Sequence, residues 1–519
     1  MENLKDQLED GFQHLKEMLE PMQKYVTPTS ALVGLGAGLT VYWLIKRNKY
    51  KLPPGPTPLP LLGNYSLLAS SNLMADCEKL TEKFGPVFTM YMGTMPMVVV
   101  NTIETATDVL VKSKADFADR FQSASVEMFS DGGKDIAFSN YTDTWKLHRK
   151  IAGSALRTYL KGNQLEEAIH GSMSKIIKLF DDTKGEPVVP HTFIDLGVFN
   201  ILCAFCFQKV YNVDDPKFKH LVDVDNQLLA IFGSGFIEDL IPVLAKIWPS
   251  KRFTKATQLS AELFQFIEEE LLEHRQSFDD GFQRDFTDTL IQARVQAENE
   301  EDTNLLSQLT DVHLKQTLID IFFAGIDTTR FTLQWFFLYI AANPKVQKQA
   351  QMEIDEAVGR DRLPGLDDRP AMPYTEAVLH ETMRIATVAP FGLAHAARID
   401  TKLCGYDIPK GTTVMINHWA LHNDPRHWKD PKTFDPKRFL DSDGNLGPKP
   451  VSWLPFSAGR RVCLGESIAK PELHLICAIL LHQFDIMLPP GVIPDYKTDL
   501  CGIIGYNVGE YKVIVKKRL

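Results

Sequence analysis

Cys463 stands in the segment Phe456-Ser457-Ala458-Gly459-Arg460-Arg461-Val462-Cys463-Leu464-Gly465, just ahead of a helical pattern over residues 466–481. Glycines 459 and 465 allow a tight turn around the sulfur. A helix beginning just beyond it points amide N–H groups and the positive end of its dipole at that sulfur, a setting that lowers a thiol pKa and favours thiolate. A thiolate held this way is a nucleophile or a metal ligand. For a bare cysteine, an inert packed thiol is the alternative.

A second group of reactive side chains lies on one helical pattern, residues 311–342, with Asp311 placed to cap it and Asn343-Pro344 to stop it. Its 32 residues would run about 48 Å, long enough to cross an entire domain. Asp320, Ala324 and Thr328 recur every four residues and share a face, with Asp327 beside Thr328. A hydroxyl next to an acid passes protons through water without opening a site to bulk solvent. The other reading is a Thr328-Thr329 pair bonding back to helix carbonyls. Glu381 and Arg384, three apart on a further helix, are placed to pair with each other and with Arg438.

The elements that must position these residues belong to a chain of 519 residues, 44% hydrophobic and 24% charged, which supplies one large core and excludes wholesale disorder. With 56 Lys+Arg against 66 Asp+Glu the net charge is −10, against a protein that wraps nucleic acid. Seven irregularly spaced cysteines form no disulfide framework, and Cys203 and Cys206 read as buried core thiols. The pattern is mainly helical with small β-sheets. A hairpin is expected from residues 87–92 and 96–100 around Gly93-Thr94, short strands at 402–406, 412–416 and 511–515, and a surface loop at 296–304.

The N-terminal region differs. Residues 25–45 carry no charge and supply the roughly 20 residues of a membrane span. Lys46, Arg47, Lys49 and Lys51 follow it, whereas residues 1–24 hold six acids and three lysines. Basic flanks stay cytoplasmic. The expected organisation is a lumenal segment 1–24, a single transmembrane anchor 25–45, a basic and proline-rich strap 46–58, and a cytosolic catalytic domain 59–519.

The decapeptide around Cys463 resembles the axial haem-thiolate loop of the cytochrome P-450 superfamily. So do Glu381-Thr382-Met383-Arg384, Phe434-Asp435-Pro436-Lys437-Arg438-Phe439 and Ala324-Gly325-Ile326-Asp327-Thr328-Thr329, in the expected order, and the proline strap is similar to that of the microsomal members. Gly133-Lys134-Asp135-Ile136-Ala137-Phe138, Trp145-Lys146-Leu147-His148-Arg149 and Asn417-His418-Trp419-Ala420-Leu421-His422 resemble the branch that holds steroid 17α-hydroxylase/17,20-lyase and its xenobiotic-oxidising relatives.

The resemblance implies the P-450 fold and haem b, with Cys463 as axial iron ligand; thiolate ligation favours O–O cleavage of the co-substrate O2. It implies that Phe456 and Arg461 of the loop, with Trp145, Arg149, Arg120 and His395, hold the haem and its propionates, for which arginine is the efficient partner. Ala324 leaves room over the haem, Thr328 donates protons and Asp327 relays them. Glu381, Arg384 and Arg438 serve folding and haem retention. Phe121, Val126, Phe129, Ile231, Asp320, Ala324, Val388, Leu393 and Ile504 border an apolar substrate pocket, Asp320 hydrating an access path or meeting a substrate hydroxyl. The sequence has no Gly-rich dinucleotide loop and no iron–sulfur spacing, so electrons come from outside. NADPH-cytochrome P-450 reductase is the implied donor, with cytochrome b5 as a second. Lys146, Arg149, Lys150, Lys429, Lys432, Lys437 and Lys470 form the expected docking face. The implied protein is a monooxygenase of the endoplasmic reticulum membrane acting on a lipophilic, steroid-like molecule. The alternatives are a planar-aromatic xenobiotic hydroxylase and a haem-thiolate isomerase or lyase that needs no reductase.

Overall fold

The computed structural model describes residues 49–518, apart from 69, 71, 72, 161, 234, 497 and 502–504, together with Gly38. The expected span 25–45 otherwise lies outside the described residues, as do segment 1–24 and Ile504. Among the described residues, no helix is long and apolar enough to cross a membrane.

The helix Asp311–Ala342 forms over the expected residues. From Thr329 to Ala341 every side chain is buried, the pattern of a helix that runs through a core rather than over it. Its cap is Thr310 rather than Asp311: the Thr310 N–H donates to His313 Nδ1 at 3.3 Å, while Asp311 accepts from Arg275 at 2.8 Å and from Arg294. Pro344 ends it and opens the next helix, Pro344–Val358, where a missing N–H costs nothing. The helices Gln164–Asp182, His191–Phe207 and Glu466–Gln483 pack around this axis. Aromatic rings fill the joints: Phe180 meets Phe337 at 5.8 Å and Phe484 at 5.7 Å, and Phe199 meets Phe322 at 5.5 Å. Cys203 and Cys206 are buried within His191–Phe207, as expected of core thiols.

Seven strands bear on the site: β1 Val87–Met92, β2 Met95–Val100, β3 Asp119–Arg120, β4 His395–Ala396, β5 Thr401–Leu403, β6 Tyr406–Ile408 and β7 Thr413–Ile416. Five form one sheet in the order β1-β2-β7-β4-β3, with β2 parallel to β7 and the other pairs antiparallel. The single strand expected at 402–406 is instead the hairpin β5–β6, because Cys404 and Gly405 take φ of +50° and +79° and turn the chain. Residues 296–304 are mostly helical, in Phe286–Asn299 and Thr303–Gln308; Asp302 caps the second by accepting from Leu305 N at 2.9 Å. β8 Phe484–Met487 pairs with β11 Ile514–Lys517, later than the expected 511–515, and β9 Thr498–Cys501 pairs with β10 Gly505–Val508.

The described part of the strap lies flat against the sheet. Thr89 N donates to Pro54 O at 2.8 Å and Lys51 N to Asp407 Oδ2 at 3.0 Å. A Cβ on Gly55 would sit 1.9 Å from Thr89 O, so only glycine lets the strap approach β1 so closely.

Candidate active site

The Cys463 loop is a hairpin closed by Cys463 N donating to Phe456 O at 2.9 Å. Gly459 turns it at φ +75°, where a Cβ would lie 1.8 Å from Leu110 O. Gly465 has no such constraint: its φ is −80°, and a Cβ there would meet Cys463 Sγ at an ordinary 3.9 Å. The expected need for glycine holds at 459 and not at 465. The helix Glu466–Gln483 starts next, and the Gly465 and Glu466 amides donate to the sulfur. Burial nevertheless pushes the Cys463 thiol up, outweighing those amides and the Arg149 charge. This corrects the expectation of a lowered pKa: desolvation of a lone thiolate costs more than two amide dipoles return.

Cys463 is nonetheless exposed, and so are Ala324 and Thr328 halfway along the long helix, although Phe322, Ile326, Thr329 and Arg330 around them are buried. Gly325 marks the closed side of the helix, where a Cβ would come within 2.9 Å of Leu202 Cδ1.

Beside the sulfur the sheet and the Trp145 helix, Asp143–Tyr159, gather cations. Arg120 and His395 stand opposite each other in the β3–β4 register. Arg461 stacks on Trp145, 4.1 Å from the ring centroid, and Arg149 lies 5.4 Å from it. Trp145 Nε1 donates to Ile136 O at 2.9 Å, which fixes the indole. The donors in hand reach backbone carbonyls: Arg461 to Ala118, Ile136 and Ser139, Arg120 to Ala137 and Leu393, Arg149 to Val462. His395 Nδ1 pairs with Phe117 O at 2.9 Å. Burial, and then Arg461 and Arg149, hold Arg120 well below its usual value; burial, and then Arg120, do the same to His395. Arg120, Arg149, Arg461 and His395 thus cluster beside the Cys463 loop; the three guanidinium groups repel one another, and His395 stays uncharged among them.

Asp320 ties the long helix to this group. Its Oδ2 accepts from Ile136 N at 2.5 Å and Ala137 N at 3.3 Å, so that oxygen is committed to the loop backbone. One turn on from Ala324, Thr328 Oγ1 donates to Ala324 O at 2.8 Å, the back-bonded state weighed from sequence. Asp327 pairs with Arg330 at 2.8 Å.

Glu381 and Arg384, both without exposure, form a bidentate pair at 2.7 and 2.7 Å. Arg438 Nε donates to Glu381 Oε1 at 3.3 Å, and Asp435 N to the same oxygen at 2.9 Å. Arg384 also reaches His422 O at 2.8 Å, so one buried cluster joins the helix Pro373–Ala386 to the segment before the Cys463 loop.

Phe121, Val126, Ile231, Val388 and Leu393 are all partly buried. Phe129 is stacked edge-on against Phe232 and Phe264, which makes it a packing residue. Of the expected docking cations, Lys146, Lys150, Lys429, Lys432 and Lys437 are exposed. Arg149 instead turns inward to Val462 O, and Lys470 pairs with Glu466 and covers the Trp453 and Phe456 rings. Sequence reasoning missed Asp135, Asp195, Asp225 and Arg330, buried or half-buried polar groups next to the site. The Asp225–Arg330 and Asp195–Gln334 contacts join residues far apart in sequence, so no spacing announces them.

Comparison with known proteins bears on this arrangement. The family model described as Cytochrome P450 matches residues 53–513. The chain is 33% identical over 472 residues to the steroid 17-alpha-hydroxylase/17,20 lyase of Ictalurus punctatus, covering 90% of this chain and 91% of that protein. It is 35% identical to the protein of the same name from Gallus gallus, covering 83% and 85%. It is 33% identical to cytochrome P450 1A1 of Limanda limanda, covering 92% and 95%. A match of this extent, over a fold in which an exposed loop cysteine stands beside clustered arginines, means that the chain belongs to the cytochrome P-450 family of haem-dependent oxidoreductases, which take electrons from a redox partner.

Proposed function

We propose that this chain is a haem-thiolate monooxygenase of a rigid, steroid-like substrate, supplied with electrons by an NADPH-dependent reductase. The observation that carries the reading is that Cys463, Ala324 and Thr328 stay exposed among buried neighbours, while Arg120, Arg149, Arg461 and His395 cluster beside the Cys463 loop. The donor set fits haem: three guanidinium groups crowd together beside an imidazole that burial and Arg120 hold uncharged, and two propionates would supply the missing negative charge. Cys463 would hold the iron, and the arginines with His395 the propionates. When bound, the haem supplies a thiolate-ligated iron at which O2 is reduced and one of its atoms enters the substrate.

The protein's own groups manage protons and shape. Thr328 spends its hydroxyl hydrogen on Ala324 O, so its lone pairs are the acceptors it offers; a turn of that hydroxyl makes it a donor. Asp327 holds a proton one residue away, since burial and the Asp225 charge push its carboxyl well above the usual range. Asp320 clamps the loop at residues 136–137 over the site. The Asp327-Thr328 pair favours a reductase-fed monooxygenase over an isomerase or lyase. A planar-aromatic substrate is the second reading, favoured by the likeness to cytochrome P450 1A1.

Attachment to the endoplasmic reticulum membrane, catalytic domain in the cytosol, is supported by the charge pattern around 25–45 and by exposed apolar side chains. Leu59, Leu62, Ile241, Val243, Ile247 and Trp248 are 46–81% exposed. Gly93 lies between Leu61 O and Leu240, which brings the two stretches together. Cytochrome b5 is a second candidate donor.

The test is reconstitution with reductase. Turnover that needs O2 and NADPH, with a strongly red-shifted Soret band in the ferrous–carbonyl complex, is the expected result. Thr328→Ala is expected to bind haem and substrate but to divert electrons to peroxide. Turnover without O2 or reductase would end the monooxygenase reading.

A further inference from the structure

Arg330, buried in the long helix, meets carboxyl groups from three helices. Its Nη2 lies 2.8 Å from Asp327 Oδ1, three residues earlier, and 2.8 Å from Asp225 Oδ2 on the helix Pro216–Phe232. Both oxygens contact the same Nη2, so the Asp225 and Asp327 carboxyl groups are crowded together. Asp195, on the helix His191–Phe207, is near enough for its charge to act on the group. Two buried carboxylates so placed repel each other unless one carries a proton. One guanidinium cannot neutralise three desolvated carboxylates, so the group retains a proton at neutral pH. Burial, then the Asp225 charge, raise Asp327 furthest; burial raises Asp225 as well, but Arg330 pulls it back. The pair therefore shares one proton, with Asp327 raised the further of the two.

A cavity adjoins this group. Asp195, Asp225 and Arg330, with Phe199, Leu221 and Phe322, line it between the helices, with room for about one water molecule. Asp195 is half-buried, and burial followed by the Asp225 charge pushes it up to about 6, so it exchanges protons near neutrality while Gln334 Nε2 donates to it at 3.4 Å. His191 stands one turn before Asp195, and the helix Lys251–Gln276 offers the cavity the apolar Leu263.

We propose that Asp225, fed from Asp195 across this cavity, returns a proton to Asp327 after each transfer toward Thr328, as a positioning residue for oxygen activation. The proposal rests on the reading of Asp327 and Thr328 given above. When Asp327 gives up its proton, two carboxylates remain on Arg330; a proton entering at Asp195 crosses to Asp225 and restores the shared pair. The step moves protons only.

The test uses the haem-loaded protein with its reductase and Asp225→Asn, Asp195→Asn and Asp327→Asn variants. Difference infrared spectra are expected to show one protonated-carboxyl band altered by both Asp225→Asn and Asp327→Asn. Product formed per NADPH is expected to fall by roughly tenfold in Asp225→Asn, with peroxide rising, while haem content, carbonyl spectrum and substrate affinity hold. In Asp195→Asn the pH profile of coupling is expected to lose its inflection near 6. Should Asp225→Asn lose its fold, Asp195→Asn and the infrared band of Asp327 decide alone. Separate bands for Asp225 and Asp327, or wild-type coupling and pH profile in Asp195→Asn beside an uncoupled Asp327→Asn, would overturn the relay and leave the Asp327 reading standing. Wild-type coupling in Asp327→Asn would remove both.

Discussion

At the Cys463 sulfur two effects oppose each other: amides at a helix start favour charge there, and burial opposes it. Because burial wins, a cation on the sulfur is what makes the thiolate, and the loop's task is to keep the sulfur in place. Gly459→Ala drives a Cβ to 1.8 Å from Leu110 O at a left-handed φ, a strain of about 1–3 kcal/mol before the clash is counted. It is expected to lower the thermal midpoint and the haem content, whereas Gly465→Ala is expected to spare both. Equal behaviour of the two variants, measured by calorimetry and haem absorbance, would contradict this account of the loop. The contrast also marks what the sequence carried at this scale. Five fixed positions in one decapeptide singled out Cys463, but they made the two glycines look alike. Leu110, the residue that separates them, is hundreds of positions away. The direction of the thiol pKa was hidden for the same reason, since desolvation is exerted by everything packed around the loop. Asp320 looked like a ligand-facing acid because no local pattern shows that the amides of Ile136 and Ala137 reach it.

Elements are held by contacts of the same long range. Glu381 receives both Arg384 and Arg438 and the Asp435 amide with no exposure to water, and it alone carries the negative charge of that cluster. Glu381→Gln leaves two buried or nearly buried guanidinium groups facing a neutral amide, at a cost of about 3–5 kcal/mol. The variant is expected to express with little haem and to unfold at lower denaturant concentration, while Thr382→Ser, next door, leaves both unchanged. A Glu381→Gln protein with normal haem content and midpoint would show that the cluster does not hold the loop. The hairpin β1–β2, the long helix and the helix after Cys463 were readable from long apolar runs bounded by local turn or stop signals, Gly93-Thr94, Asn343-Pro344 and Gly465. β5–β6 was not, because a non-glycine residue, Cys404, takes the turn conformation inside a strand-like run. Residues 296–304 misled in the opposite sense: their polar composition belongs to exposed helix, with Asp302 supplying a cap inside the stretch taken for a loop.

For the molecule as a whole, orientation and substrate are linked through the membrane. Of two formal glycosylation sequons, Asn64 is buried, with its amide bonded to Thr57 O and its carbonyl to Tyr91 N, so it reports nothing about topology. Asn140 is exposed and does report: a cytosolic catalytic domain keeps it unmodified, and glycan on Asn140 of protein from a eukaryotic membrane fraction would invert the proposed orientation. The exposed Leu59 and Leu62 follow the strap directly, and Gly93 brings their stretch against Leu240, so a bilayer in contact with them would present apolar molecules to this side of the protein. If Phe121, Val126, Ile231, Val388 and Leu393 border the pocket as proposed, they offer such a molecule hydrocarbon rather than charge. Selection among ligands then follows burial, at about 25 cal/mol for each Å² of apolar surface removed from water, together with fit to rigid walls. A flexible chain of equal area forfeits part of that gain in ordering its rotors, and a carboxylate adds the cost of desolvating a charge with no built partner. Progestin-like steroids are therefore expected to shift the haem from low to high spin in an optical titration of the purified protein, planar aromatics to do so more weakly, and short-chain fatty acids not at all. A response to small or charged compounds with none to steroids would remove the steroid substrate and leave the monooxygenase chemistry intact.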